Sequence, residues 1–362
     1  MARDDFSAAT KKILEERAGH CCSFPGCSAV TTGPSDESST AISKTGMACH
    51  IAAASGGQGA RRYVASMSSE ERLSPENGIW MCYTHGKIID TDEKRYSSPM
   101  LQKWREMAYF RARFRQEFGT DKQLPRDRLV EIGFANETLS FTSPGNEAKV
   151  IGFALLDSCV PLVWGDELSH AVRDVLVEIV RNTFAHGGAS SCKLVIYRRS
   201  ISITDDGADF SWLNLPTSPN ARGGAAAVKS LFAHFGDKLL LGVKRHNNEN
   251  RTTIALARSL DDIKLVGPCS VEVKDGDWNE VRNRRQIPAS WFPSTTESCR
   301  IFYIVLPEFM PHSDAILLSE ALQPEAIKNK QIVFVTQNTS SGVERYLLEA
   351  FPFARVLNIS ST

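Results

Sequence analysis

The chain has 362 residues, 42% of them apolar and 23% charged, with 42 Lys and Arg against 42 Asp and Glu. At about 150 residues per domain that length predicts two or three domains, and the composition excludes wholesale disorder. Balanced charge gives no bulk attraction for a polyelectrolyte, so any nucleic-acid contact has to be local.

In chain order, residues 7–20 read as a helix with Ser7 as its N-cap and Ile13, Leu14 and Ala18 on one side. Polar loops follow over 28–46 and 55–76. A helix is expected over 99–118, and the polar run 119–128 marks a domain boundary. Residues 167–185 carry apolar side chains at helical spacing, from Leu168 to Val180. Two β-rich runs come next, 191–197 and 200–204. A glycine loop at 222–224 then opens a helix over 225–235. Runs 239–243 and 252–257 read as a hairpin separated by the polar run 244–250. The tail alternates as β-α-β-α-β over 300–306, 313–322, 331–336, 343–351 and 355–359, which predicts a small mixed sheet. No run approaches the ~18 apolar residues of a membrane span. The first residues, Met1 to Phe6, hold no apolar leader core, so a cytoplasmic chain is expected.

The nine cysteines cluster early: Cys21, Cys22, Cys27, Cys49 and Cys82 precede the scattered Cys159, Cys192, Cys269 and Cys299. An odd count without a leader predicts reduced thiols, with metal ligation favoured over disulfides. Cys22-x4-Cys27 and Cys82-x2-His85 each suit a tight knuckle, and three sulfurs with one nitrogen suit tetrahedral zinc. So short and polar a module needs such a staple. Between the pairs lie Cys49-His50-Ile51 and Asn77-Gly78-Ile79-Trp80-Met81-Cys82, with Ile88-Ile89-Asp90 and Trp104 after them. This order resembles the HNH nuclease family, a ββα-metal finger, over roughly residues 8–110. The resemblance implies that His50 is the general base and that Asn77 orients it through the hairpin. It also implies a divalent-metal ligand on the helix after Cys82. The family's own ligand position there falls on Gly86, so Asp90, one turn on, is the expected substitute for Mg²⁺ or Mn²⁺, with Asp92 weaker. Cys49, just before the base, is a second departure. The helix beside the module carries Lys103, Arg105, Arg111, Arg113 and Arg115, which are expected to grip a phosphate backbone.

Further on, Glu178-x3-Asn182-x3-His186-Gly187 ends one helix, with Glu178 and Asn182 on one face and His186 a turn further. Asp205-Asp206-Gly207, Arg222-Gly223-Gly224 and Thr252-Thr253 follow in order. This succession resembles the GHKL ATPase family across roughly residues 130–260 and implies a Bergerat-type α/β sandwich. Under the resemblance Asn182 holds a phosphate-bound Mg²⁺, Glu178 stands where hydrolysing members keep a base, and Asp205 accepts from adenine above Gly207. Arg222, Gly223 and Gly224 would form the phosphate lid, Thr253 the neighbouring strand contact. Asp209 replaces a second glycine and the lid is short, so ATP binding is expected ahead of rapid turnover.

The expected architecture is an α+β multidomain chain: a zinc-stapled ββα-metal finger (1–120), a Bergerat-type ATP-binding sandwich (125–262) and a small α/β domain (265–362). The expected function is a metal-dependent HNH-type endonuclease on duplex DNA, gated by ATP and suited to anti-phage defence. GHKL relatives commonly dimerise or close when nucleotide fills the lid, so the resemblance leaves room for a homodimer. Two other readings stay open: a DNA-binding zinc finger whose catalysis is lost through Cys49 and Gly86, and a signalling ATPase or kinase of the anti-sigma type.

Overall fold

A computed structural model describes the chain except for residues 1–3, 28, 58–59, 121–123, 210–211, 214–222, 268, 274, 288–290, 293–297, 323–329 and 360–362. The fold is α+β, and the chain forms two compact units: residues 1–137 with 152–169, and residues 138–151 with 170–362. The central and C-terminal segments, expected as separate domains, fall in one of these units. Two contacts illustrate why. The Tyr303 hydroxyl accepts from Leu241 N at 2.6 Å and donates to Leu241 O at 3.0 Å. Arg300 N donates to Val243 O.

The first unit begins with α1 (Ala8–Arg17), capped by the Ser7 hydroxyl accepting from Thr10 N. The loop expected over 28–46 contains a short antiparallel pair, β1 (Thr32–Pro34) and β2 (Ile42–Lys44). Next come β3 (Gly46–His50), α2 (Ser69–Leu73), β4 (Gly78–Cys82) and α3 (Tyr83–Thr91). Strands β3 and β4 pair antiparallel with His50 opposite Gly78 and Gly46 opposite Cys82. The hairpin followed at once by α3 is a ββα unit. Its register requires glycine at Gly46, where a Cβ would lie 2.5 Å from the Trp80 ring. Beside it runs α4 (Ser98–Phe118), burying Met100, Leu101, Trp104, Met107 and Ala108 along one stripe. A short helix, α5 (Arg126–Ile132), follows.

In the second unit β5 (Glu137–Phe141), β6 (Cys192–Ile196), β7 (Ser200–Asp205), β8 (Leu239–His246) and β9 (Glu249–Leu256) form one sheet in the order β5-β6-β7-β9-β8. The helical segments here are α6 (Glu147–Asp157) and α8 (Asp166–Ala185), each shared with the first unit, and α9 (Gly223–Phe235); α7 (Val160–Trp164) belongs to the first. The β8–β9 hairpin runs further than its apolar residues suggest. Asn247 and Asn248 both take positive φ, 49° and 63°, so the polar run closes a two-residue turn.

The tail gives β10 (Ser270–Glu272), α10 (Asp275–Arg284), β11 (Ile301–Val305), α11 (His312–Ala321), β12 (Gln331–Thr336), α12 (Ser341–Ala350) and β13 (Arg355–Asn358). All three strand pairings are parallel, not mixed. A helix lies between each pair of successive strands, and β11 is buried along its whole length, as a strand in a parallel sheet requires. The expectation of reduced thiols fails at one pair: Cys269 and Cys299 are disulfide-bonded, their Cα atoms 5.7 Å apart. Strands β10 and β11 bring together the two ends of a 30-residue separation, which no sequence spacing advertises. Among the described residues no helix is long and apolar enough to cross a membrane.

Candidate metal centre and clefts

Cys22, Cys27, Cys82 and His85 converge, each offering one ligand atom, all within 4.8 Å of one another. The His85 Nδ1 lies 3.1 Å from Cys82 Sγ and 3.5 Å from Cys22 Sγ. Those separations suit tetrahedral zinc, and the set could bind such a metal. Chain geometry supplies the ligands in pairs. The first pair brackets a turn in which Cys27 N donates to Phe24 O, and the second straddles the start of α3. Phe24 stacks on the His85 ring at 3.9 Å and its N–H donates to Cys22 Sγ. Burial pushes the Cys22 thiol up to about 12, with the neighbouring Cys27 and Cys82 adding repulsion between thiolates. A dication therefore has protons to displace, and the bound state is linked to pH. Burial lowers the His85 pKa, which favours the neutral imidazole that ligation needs.

Four of the five basic residues of α4 make contacts within the first unit itself. Arg111 donates to Cys27 O and Cys22 O, bracing both turns of the first knuckle. Arg105 donates to the carbonyls of Pro75, Glu76 and Gly78 and pairs with the Glu76 carboxylate. Lys103 bonds Glu106 and Ile132 O, and Arg115 approaches Cys21 Sγ at 3.7 Å. Only Arg113 of the five is classed as exposed. Long cationic side chains can reach buried carbonyls as readily as phosphates, and here the module's own backbone captures them. Arg111→Ala should destabilise the finger by about 1–3 kcal/mol because two carbonyls lose their donor. Arg113→Ala should change stability by less than about 0.5 kcal/mol. Thermal unfolding of the zinc-loaded protein measures both.

In the same unit a cleft of about 380 Å³ is lined by His50, Cys49, Arg61, Arg62 and Asp90, among others. His50 ends β3, and the turn after it is held by Asn77, which is buried. The Asn77 Oδ1 accepts from Ala52 N at 2.8 Å, and its Nδ2 donates to Ala52 O and Arg72 O. Asn77 thus reaches the His50 turn through backbone alone. The His50 Nε2 bonds the carbonyl oxygen of Asp4 at 3.0 Å, and Phe6 stacks on the imidazole. A carbonyl only accepts, so Nε2 carries a hydrogen.

Asp90, on the last turn of α3, is half exposed and pairs with Arg62 at 3.2 Å. The Arg62 guanidinium is almost wholly buried and also donates to the carbonyls of His50, Ile51, Ile89 and Tyr96. It clamps the end of β3 to the end of α3. Sequence reasoning missed Arg62, whose partners come from three separate segments. Asp92 caps the following turn through Lys94 N and Arg95 N. Gly86 and Cys49 pack together: a Cβ at Gly86 would meet Cys49 Sγ at 3.0 Å and Met47 Sδ at 2.7 Å. Burial, with the Asp90 charge adding to it, pushes the Cys49 thiol up, so it stays protonated. Asp90 is the one carboxylate among the described residues lining the cleft, and it is paired with Arg62.

In the second unit Asp205 is buried. Its carboxylate accepts from Gly207 N at 3.0 Å, Asn250 Nδ2 at 2.9 Å and Thr183 Oγ1 at 3.3 Å. Across the sheet Asp205 faces Asn250 and Ser202 faces Thr253. Asp205 and Ser202 are three apart on one strand, so they point to opposite faces. Thr253 accordingly sits against Ser202 on the far face, and Thr252, not Thr253, is the hydroxyl on the Asp205 side. The space beside Asp205 is about 10 Å³, room for one water at most, because Trp212 is packed there with its Nε1 on Thr252 Oγ1. Gly207 is locked too: Ala208 N donates to Gly187 O, and Arg245 and Asn250 donate to Gly207 O.

A separate cleft of about 740 Å³ is lined by Lys149, Arg173, Glu178, Arg181 and Gly223 with neighbouring residues of α9. Arg181 pairs with Glu178 at 3.2 Å and with Glu147 at 2.5 Å. Asn182 is part-buried on α8 and His186 is exposed just beyond its end. Gly223 and Gly224 open α9, whereas Arg222 lies outside the described residues. No protein-family model and no curated protein matches this chain.

Proposed function

We propose that the chain is a metal-dependent phosphodiesterase of the HNH type, acting on duplex DNA and gated by ATP in its second unit. One observation carries the reading most: His50 stands on the floor of a cleft at the end of β3, in a ββα unit whose Cys/His cluster suits zinc, with Asp90 on the facing helix. With its Nε2 hydrogen on Asp4 O, the neutral His50 ring serves as general base for an attacking water. A divalent cation on Asp90 would supply charge neutralisation for the phosphate and leaving oxygen. Arg62 holds Asp90 and the His50 carbonyl in fixed relation, and Arg61 adds positive charge to the cleft wall.

The ATP part of the reading rests on the buried Asp205 and on the cleft where Lys149, Arg173 and Arg181 lie with Asp174 and Glu178 beside the first turn of α9. Adenine can reach Asp205 only by displacing Trp212, so ATP should shift tryptophan fluorescence. Asp205→Ala should abolish that shift and weaken ATP binding at least about tenfold. Thr252→Val should weaken it too, whereas Thr253→Val should not. Calorimetric titration checks all three, and cleavage measured across an ATP series tests the gating; a flat series separates the two activities. A second reading, DNA binding without cleavage, is favoured by the Cys49–Gly86 packing that fills the family's usual ligand position.

A further inference from the structure

The N-terminal segment Asp4–Phe6 is built into the His50 site. The Asp4 N–H donates to Ala54 O at 3.1 Å, across the turn that follows His50. The Asp4 carboxylate accepts from the Ser69 hydroxyl at 2.8 Å and pairs with Arg72 at 3.5 Å. Its carbonyl accepts from His50 Nε2, and two residues on Phe6 lies flat on the imidazole, centroids 3.8 Å apart and planes within 6°. Phe6 is itself buried, packed with Leu14, Ala18 and Trp80. Each contact constrains a different freedom of one ring. The carbonyl selects the tautomer, the stack sets the plane, and the Asp4 side chain pins the segment to the α2 region.

We propose that this segment is a positioning element for His50, with Asp4 and Phe6 acting through the imidazole and not on substrate. The proposal rests on the reading of His50 as a general base. It makes the base competent only while the segment is docked, since an undocked imidazole exchanges tautomers and rotates off line.

The test uses the full chain, zinc-loaded and labelled with ¹⁵N only in histidine, with the His50 signals assigned by comparison with His50→Gln. In the neutral ring at about pH 8, wild type should show a single Nε2–H tautomer. The double variant Asp4→Ala with Phe6→Leu retains most of the buried apolar volume and should show tautomer-averaged shifts. It should also lose roughly ten- to a hundredfold in kcat with KM and zinc content unchanged. A loss caused by general unfolding would instead release zinc, and in that case Asp4→Ala alone carries the same two readouts. Wild-type ¹⁵N shifts together with wild-type kcat in the folded variant overturn the proposal. If wild type cleaves nothing, the nuclease reading falls while the tautomer measurement still decides whether the segment orients His50.

Discussion

Cys82→Ser should release zinc and collapse the first unit's finger. Cys82 ends β4 and starts α3, so its sulfur ties the hairpin to the helix, and its partners Cys22 and Cys27 lie in a loop with little apolar core. Structural zinc of this kind contributes about 10–16 kcal/mol to folding in small modules, more than the margin of an ordinary domain. Metal analysis of the purified variant should find zinc lost, and its circular dichroism should show a partly unfolded chain. The second unit should keep its own cooperative transition. Cys21→Ser should retain zinc, since Cys21 lies outside the ligand set and instead pairs across the turn with Val30. Zinc retained at full stability in Cys82→Ser would remove the site.

His50→Ala should abolish phosphodiester cleavage while zinc remains in place. A positioned general base contributes about 10²–10⁴-fold, and among the described residues no other histidine lines the cleft. The variant leaves the hairpin intact, because Asn77 holds the Ala52 N–H and carbonyl and Arg62 the His50 carbonyl, backbone groups that alanine keeps. The prediction is therefore a loss in kcat without a matching loss in thermal midpoint. Activity surviving in His50→Ala at the wild-type rate would move the chemistry elsewhere.

The sequence was most legible where periodicity is strong and contacts are local. The apolar spacing from Leu168 to Val180 corresponds to α8, and the alternation read from residue 300 on corresponds to β11–β13 and their helices, whereas β10 and α10 before it were not read. The four metal ligands were legible because two short spacings each make a local turn. What escaped depends on contacts between distant segments. Nothing in the string ties Asp4 to His50 or Arg62 to both His50 and Asp90. The inward turn of Arg105 and Arg111 depends on which carbonyls the hairpin and knuckle present, and a helical pattern cannot reveal that. The Thr252–Thr253 assignment turned on a single residue of register, which reverses the face of every side chain in a strand. Trp212 filling the space at Asp205 was equally hidden, since it reaches Thr252 from forty residues away.

The central claim is that the His50 cleft hydrolyses nucleic acid, and the most direct measurement is cleavage of supercoiled plasmid by the zinc-loaded wild-type chain. With Mn²⁺ or Mg²⁺ present, nicked and then linear DNA should accumulate with time, EDTA should stop it, and His50→Ala should leave the plasmid supercoiled. Plasmid still intact in both metals, with zinc bound and with ATP both absent and present, would contradict it.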